Sequence, residues 1–296
     1  MSTWLFLIFQ FTPLYRRNPD QALIEASAKK WEQMPLSNNF LFTKIFGSDK
    51  SLCLELLRRL FPDLPIGDIT YSEAEKAVQT SHDSRGIRLD VLARDGRHLF
   101  DLEMQTTNRG NLPKRSRCYS SALDSETAAP GSDFASLKPT YVIFICTFPV
   151  FNGGRHQYTF RRLCVEDRSI ELHDETSIVF LSTRGTNNDI IQPLKNFLNY
   201  LNDASAAVSI DDDFIHHLDA AVANGRQNAE WRRQYMLYDL ERNQFRSDCR
   251  AEGRAEIVRK LIMDNVYSDE QLARISDMPV EEIRRLREEL TTSKPA

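Results

Sequence analysis

The chain has 296 residues, of which 41% are hydrophobic and 27% are charged, and its formal net charge is −4. These values are ordinary for a globular protein and exclude collagen-like, coiled-coil-array and wholly disordered chains. The net charge excludes a uniformly basic nucleic-acid coat, but it leaves room for local basic patches, which are enough for phosphate contacts.

Five cysteines are scattered along the chain without any CxxC pair, and no cysteine pair lies near a histidine cluster. This pattern argues against a structural zinc site and favours free cysteines. It also fits a reducing compartment better than an oxidising one, so we expect a cytoplasmic protein.

The first apolar stretch runs from Trp4 to Phe11. Eight residues are too few to span a membrane, which needs about 20. Basic residues follow this stretch, at Arg16 and Arg17, whereas a signal peptide carries them before its apolar run. We therefore expect no membrane association and interpret residues 1–30 as a poorly structured or helical extension, or as the product of a start codon assigned too early.

Compact structure is predicted from about Trp31. Apolar residues at helical spacing predict a helix over residues 39–61, with Leu52, Leu56, Leu57 and Leu60 as its buried stripe and prolines ending it. A strand over residues 69–78 and a polar loop over residues 79–86 follow.

Two alternating runs, residues 87–93 and 98–105, flank an Asp-Gly pair and predict a β-hairpin. With a two-residue turn, Asp90 lies opposite Asp101, and Arg88 lies opposite Glu103. Because successive residues alternate between faces, the two faces have different compositions. One carries Arg88, Asp90, Asp101, Glu103 and Gln105, with Leu92 and Leu99 near the turn; the other, which we interpret as the core face, carries Ile87, Leu89, Val91, Phe100, Leu102 and Met104.

The first face brings three carboxylates within about 7–8 Å of one another. Like charges this close raise one another's pKa unless a positive group lies between them. Arg88 could neutralise one charge, and a divalent cation bound by Asp90 and Glu103 would neutralise two. Oxygen ligands favour Mg²⁺, or Mn²⁺ in its place, over zinc, and such an ion can promote phosphodiester hydrolysis. The alternative is an ordinary charged, solvent-exposed face, and a one-residue register slip would scatter the acids.

The remaining elements complete an α/β pattern. A basic helix is predicted over residues 112–125, a doubly covered strand over 140–148, strands near 156–165 and 177–182, and a helix over 190–201. Beyond about residue 204 the chain is charged and helical, with a long helix over residues 228–265 that breaks only at Gly253, and then two short helices. The second-last helix carries the capping-box pattern Ser268–Gln271.

The order of these motifs resembles the PD-(D/E)XK nuclease superfamily: a first helix, RLDVLA, DLEMQ, a helix containing KRSRCYSS, and an apolar central strand. It is more closely similar to the branch called PD-(D/E)XK nuclease family transposases, or recombination-promoting nucleases, over roughly residues 36–205. The resemblance implies a restriction-endonuclease-like core (31–205), with a mixed central sheet flanked by helices, followed by an all-helical tail (206–296). It implies a metal-dependent DNA endonuclease linked to recombination or mobile elements.

The resemblance also assigns roles to residues. Asp90 and Glu103 would hold Mg²⁺, the backbone carbonyl of Met104 would be a further ligand, and Gln105 would stand where the motif has lysine. Glu55 on the first helix is an additional candidate acid, with an inert exposed position as the alternative. Four residues of the next helix would bind DNA phosphates: Lys114, Arg115, Arg117 and Tyr119. For Arg115 and Tyr119 a salt bridge to Asp101 and a packed ring are equally acceptable structural roles.

Two departures from the superfamily pattern bear on activity. Leu89 rather than proline precedes Asp90, and Gln105 replaces the lysine, so the site lacks a cation that would position water or stabilise the transition state. Glutamine is usual in the branch that the chain resembles. The competing interpretations are a nuclease-fold protein that binds DNA or assembles without cutting, and a nuclease that acts on RNA.

The last two predicted helices have the outline of a helix-turn-helix. The second of them mixes four glutamates with three arginines, whereas a base-reading helix is usually more basic. This composition favours homo-oligomerisation or partner docking over base reading. No GxSxG motif is present, which argues against a serine hydrolase.

Overall fold

A computed structural model describes residues 21–78, 87–127, 131 and 133–292. The apolar segment Trp4–Phe11 and the predicted polar loop lie outside the described residues. Six strands form one mixed sheet in the order β1-β2-β3-β4-β6-β5. β1–β2, β2–β3 and β5–β6 pair antiparallel, whereas β3–β4 and β4–β6 pair parallel. The strands are β1 (Tyr71–Val78), β2 (Ile87–Arg94), β3 (Leu99–Gln105), β4 (Thr140–Cys146), β5 (Gln157–Phe160) and β6 (Thr176–Ser182).

The helices cover both faces of the sheet and form the C-terminal part of the chain. They are α1 (Gln21–Glu32), α2 (Asn39–Ser48), α3 (Lys50–Leu60), α4 (Leu112–Thr127), α5 (Gln192–Asn202), α6 (Asp213–Gln227), α7 (Ala229–Met263), α8 (Asp269–Ser276) and α9 (Val280–Thr292). Short 3₁₀ turns lie at Phe134–Ser136 and Ala204–Val208. The predicted α/β class and the predicted mixed sheet flanked by helices are confirmed.

The single helix predicted over residues 39–61 is two helices, because Asp49 starts a new one. Its side chain accepts hydrogen bonds from the backbone N–H groups of Ser51 (2.9 Å) and Leu52 (3.0 Å), which caps α3. The predicted stripe is correct: Leu52, Leu56, Leu57 and Leu60 are buried.

The central strand β4 carries the core on both faces, as its continuous apolar sequence predicts. On one face Val142 and Phe144 pack with Tyr119 and Leu123 of α4. On the other face Phe61, just after α3, packs against Tyr141, with ring centroids 5.0 Å apart. Helix α2 contacts β1, β2 and β3, while α4 contacts β2 and β4. The part of the sheet formed by β2 and β3 thus lies between α2 and α4.

The described residues divide into two compact units, one within Lys30–Arg232 and one that contains residues 21–29 and 233–292. The predicted domain boundary near residue 205 stays a prediction. The predicted break at Gly253 is wrong, since α7 continues through it without interruption. The predicted capping box is confirmed, because Gln271 N–H donates to Ser268 Oγ (3.3 Å) and Ser268 N–H donates to Gln271 Oε1 (2.9 Å). A small apolar core holds the C-terminal helices together: Val258, Ile262, Leu272, Met278, Ile283 and Leu286. None of the described helices is both long and apolar enough to cross a membrane.

Candidate active site

The hairpin of β2 and β3 has a register two residues away from the predicted one. Leu92 pairs with Asp101 and Arg94 pairs with Leu99, whereas the two-residue turn placed Asp90 opposite Asp101. The connection therefore has four residues, 95–98. Because a shift of two residues preserves the side-chain alternation across the pair, Asp101 still lies on the same face of the sheet as Leu92, together with Glu103 and Gln105 of its own strand.

The regular pairing of β2 is interrupted at Asp90. Its pairing with β3 ends at Val91, and its pairing with β1 passes from Val91 to Leu89. Ile87 and Leu89, which alternation assigned to the face of Val91, pack instead in the cluster that contains Leu92. The simple two-face assignment for β2 is therefore wrong in this region.

The carboxylates of Asp90 and Glu103 fill the place where the strand pairing ends. The backbone N–H of Asp90 donates to Glu103 Oε1 (2.9 Å), and the backbone N–H of Met104 donates to Asp90 Oδ2 (3.2 Å). Each acid thus satisfies a backbone donor of the neighbouring strand. The two side chains that the sequence singled out converge on one small region.

Asn39, in the first turn of α2, is a site residue that the sequence analysis missed. Its Nδ2 donates to Asp90 Oδ2 at 2.5 Å, which fixes the orientation of that carboxylate. The only local signal was an asparagine pair at a helix start, and such a pair ordinarily indicates capping. Asn38 does have that capping role, because its side chain accepts from Phe40 N–H.

All three acids are buried, so the alternative of an exposed charged face is wrong. Asp90, Asp101 and Glu103 are 6%, 0% and 1% exposed. Burial raises the pKa of Asp90 from 3.8 to about 6, although hydrogen bonds from Asn39 and Met104 oppose the shift. Burial, together with repulsion from Asp101 and Asp90, raises the pKa of Glu103 well above its ordinary value. The acids are therefore short of compensating positive charge.

Asp101 lies deepest of the three. Neither of its carboxylate oxygens has a hydrogen-bond partner among the described residues. Burial first, and then repulsion from Asp90, raises the pKa of Asp101 well above its ordinary value. It adds to the unfavourable charge around Glu103.

Two arginines, Arg88 and Arg115, lie close enough to lower the pKa of Asp90, and Arg115 on α4 is the one that pairs with Glu103. It donates to Gln105 Oε1 (2.9 Å) and Tyr119 Oη (2.7 Å), and its Nη2 lies 3.5 Å from Glu103 Oε2. The ion pair is therefore with Glu103, and not with Asp101 as the structural alternative had it. Tyr119 is the packed ring of that alternative, in edge-to-face contact with Phe144 at 5.7 Å.

Of the other candidate residues, Gln105 lies beside the acid pair, whereas Glu55, Lys114 and Arg117 do not. Glu55 is not brought to the site, because its carboxylate pairs with Arg59 of its own helix at 3.2 Å. Lys114 and Arg117 are exposed on α4 and contact none of the three acids. Gln105 lies next to Glu103, with Nε2 at 3.4 Å from Glu103 Oε2.

The carboxylate oxygens of the site are the ligand type that a hard divalent cation prefers, but fewer than three such side chains of the described residues converge there. No group of three or more His, Cys, Asp or Glu side chains in the described part of the chain is arranged to hold a metal ion. Asp90 and Glu103 are nevertheless two converging, undercompensated carboxylates, and Mg²⁺ is commonly bound by one or two carboxylates with water and substrate phosphate as the other ligands.

The comparisons with known proteins support the same family as the motifs. A family model described as PD-(D/E)XK nuclease family transposase matches residues 36–211. No significant match was found among curated proteins or among solved structures. The matched region covers more than half of the chain and contains all the strands and the acid pair.

Proposed function

The chain belongs to the PD-(D/E)XK nuclease family transposases, and we propose that it is a metal-dependent DNA endonuclease that hydrolyses phosphodiester bonds, with a role in recombination or in mobile elements. The observation that carries this proposal is the convergence of the Asp90 and Glu103 carboxylates in a buried gap, joined through the Asp90 backbone N–H (2.9 Å). Two such acids, whose pKa values are raised although Arg88 and Arg115 lie nearby, have a strong electrostatic requirement for further positive charge.

The residues of the site would divide the work as follows. Asp90 and Glu103 hold the ion, with the Met104 carbonyl as a further ligand, and Asn39 fixes the orientation of Asp90. When bound, Mg²⁺ supplies Lewis-acid polarisation of a phosphate oxygen and lowers the pKa of a water molecule. Gln105 orients the attacking water through its amide, which Arg115 anchors by donating to Oε1 (2.9 Å).

Arg115 would also take part of the role of the missing motif lysine. Its guanidinium is only partly buried and lies beside both Glu103 and Gln105. A fixed cation in this position stabilises negative charge that develops on the phosphoryl group. We therefore expect the glutamine site to retain turnover.

A plasmid-nicking assay tests the proposal. Supercoiled plasmid is incubated with wild type, Asp90→Asn and Glu103→Gln in Mg²⁺, Mn²⁺ or EDTA, with Asp68→Asn as an exposed acidic control outside the site. We expect nicking by wild type and by the control in either metal, and at least a 100-fold slower reaction in EDTA or with either site variant. Equal cutting by wild type and both site variants would refute the assignment.

The absence of lysine in the motif favours a second candidate, a nuclease-fold protein that binds DNA or assembles without cutting. This candidate predicts that wild type and both site variants bind DNA equally and that none of them nicks it. The same assay therefore separates the two candidates.

A further inference from the structure

The carboxyl ends of three neighbouring strands bring β6 close to the acid pair. β3, β4 and β6 run parallel and in register, so that Gln105 pairs with Cys146, and Cys146 pairs with Ser182. Adjacent strands lie about 4.8 Å apart. Residues that follow Ser182 therefore lie about 10 Å from the strand that carries Glu103 and Gln105.

Arg184, two residues beyond β6, turns back toward this strand. Its Nε donates to the carbonyl oxygen of Thr147 (3.3 Å), and the N–H of Thr147 donates to the carbonyl oxygen of Gln105 (3.0 Å). The guanidinium thus lies over the end of β4, one strand away from β3.

The backbone around Arg184 is held in place by hydrogen bonds. Its N–H donates to Ser182 Oγ (3.2 Å), and the Ser182 hydroxyl donates to the carbonyl oxygen of Phe148 (3.1 Å). The N–H of Thr183 donates to the carbonyl oxygen of Cys146 (3.0 Å). A pre-positioned side chain loses less conformational entropy when it binds a ligand.

The positive charge of Arg184 takes part in no ion pair within the described part of the chain. The side chain is exposed, and no carboxylate among the described residues pairs with it. Asp189, the acid nearest in sequence, is engaged by His156 (3.0 Å) and Arg155 (3.7 Å). By contrast, Arg161 and Arg162, at the other end of the sheet, are paired with Glu171 and Asp174.

We propose that Arg184 binds the backbone phosphate of the nucleic-acid strand that neighbours the phosphate at Asp90 and Glu103. The inference rests on the proposed function for the identity of the ligand. The spacing of about 3.4 Å between phosphates in a duplex strand is a rise along the helix axis, and the through-space distance between successive phosphates is about twice as large, so a separation of about 5–10 Å corresponds to the neighbouring phosphate. The guanidinium fork is well suited to phosphate oxygens. Lys114 would make an equivalent contact on the α4 side, so that the substrate strand crosses the acids between two cations.

The test measures DNA binding as a function of salt, in EDTA, by fluorescence anisotropy of a labelled duplex. Arg184→Gln removes the charge but keeps a donor for Thr147, and Arg184→Lys restores the charge. Arg97→Gln is the matched control, since Arg97 is exposed in the β2–β3 connection at the opposite end of the sheet. We expect Arg184→Gln to weaken binding about 3–10-fold and to lower the salt slope by about one, with Arg184→Lys close to wild type and the control unchanged.

The outcomes separate this inference from the nuclease assignment. An unchanged affinity and salt slope for Arg184→Gln overturns the phosphate contact even if Asp90-dependent nicking is observed. An equal loss in the Arg97→Gln control, or no DNA binding by wild type with or without Mg²⁺, overturns it as well. A reduced slope in a protein that never nicks plasmid supports the contact and refutes the nuclease proposal alone.

Discussion

Replacing Asp90 with asparagine should stabilise the metal-free protein at pH 8. Burial raises the pKa of this carboxyl from 3.8 to about 6. The folded chain therefore holds a proton between about pH 4 and pH 6 that the unfolded chain has released, so the stability of wild type falls as the pH rises through this interval. The cost is fully present above about pH 6.

The size of the effect follows from the shift. About two pKa units correspond to about 3 kcal/mol at 1.36 kcal/mol per unit, and this figure is an upper estimate for the gain in Asp90→Asn. The amide oxygen can still accept the Met104 N–H, which keeps the strand ends joined. Below about pH 4 the wild-type carboxyl is protonated in both states, and the gain should vanish.

Urea denaturation at pH 8 and pH 4, in EDTA and in Mg²⁺, measures the free energy of unfolding under each condition. We expect the free energy of unfolding of Asp90→Asn to exceed that of wild type by about 1–3 kcal/mol at pH 8 in EDTA, and to equal it at pH 4. Added Mg²⁺ should stabilise wild type and leave the variant unchanged, because only wild type retains both acids. A variant that is less stable than wild type at pH 8 in EDTA would refute the claim that the site is short of positive charge, and Asp68→Asn serves as the exposed control.

Three further predictions concern single side chains. Gln105→Ala should slow single-turnover nicking about 100-fold with DNA affinity unchanged, since one positioned donor is lost; a change in affinity alone would contradict the role in catalysis. Arg59→Ala should lower the free energy of unfolding by about 2 kcal/mol in urea, because Asp212, held at 2.7 Å, would lose its cation but keep its hydrogen bonds from Asn196 and the Phe214 N–H. Arg59 also lowers the pKa of Asp212 to about 2, so this contribution should disappear as pH falls from about 4 to 2, and a pH-independent Arg59→Ala effect would refute it. Ser268→Ala should cost the C-terminal helices about 1 kcal/mol by hydrogen exchange, and unchanged protection at Gln271 would contradict the capping role.

The hairpin was predictable from the sequence, and its register was not. Alternating apolar residues around Asp-Gly identify both strands, but Asp95 does not serve as a turn residue of a two-residue loop. Its buried side chain accepts from the N–H groups of Arg97 (2.9 Å) and His98 (2.7 Å) and from Gly67 N–H (3.0 Å), which stabilises a four-residue connection. The contact with Gly67 is long-range, and local propensity carries no information about it.

The acids of the site were found from their spacing, whereas their partners were not. Asp90 and Glu103 are brought together by one hairpin, a local element whose pattern is visible in the sequence. Asn39 is 51 residues from Asp90 and reaches it only because α2 packs on the sheet. The position of Arg184 near the acids depends on the order of β3, β4 and β6 in the sheet. The orientation of α4 about its axis decides that Arg115 pairs with Glu103 and not with Asp101. Such contacts require the tertiary fold.

Each of the two carboxylates also has a structural role. It accepts a hydrogen bond from the backbone of the opposite strand at the junction where the strand pairing stops. These positions therefore remain constrained even if a protein loses its nuclease activity, because an alanine at Asp90 or Glu103 would leave a backbone N–H without its acceptor. We expect descendants that have abandoned catalysis to replace the acids with their amides rather than with alanine, because an amide oxygen still accepts the backbone N–H and carries no buried charge. An acid or an amide at both positions in a relative is thus a sign that this junction of the strands is intact, whereas retention of both charges indicates that the positions still bind a cation.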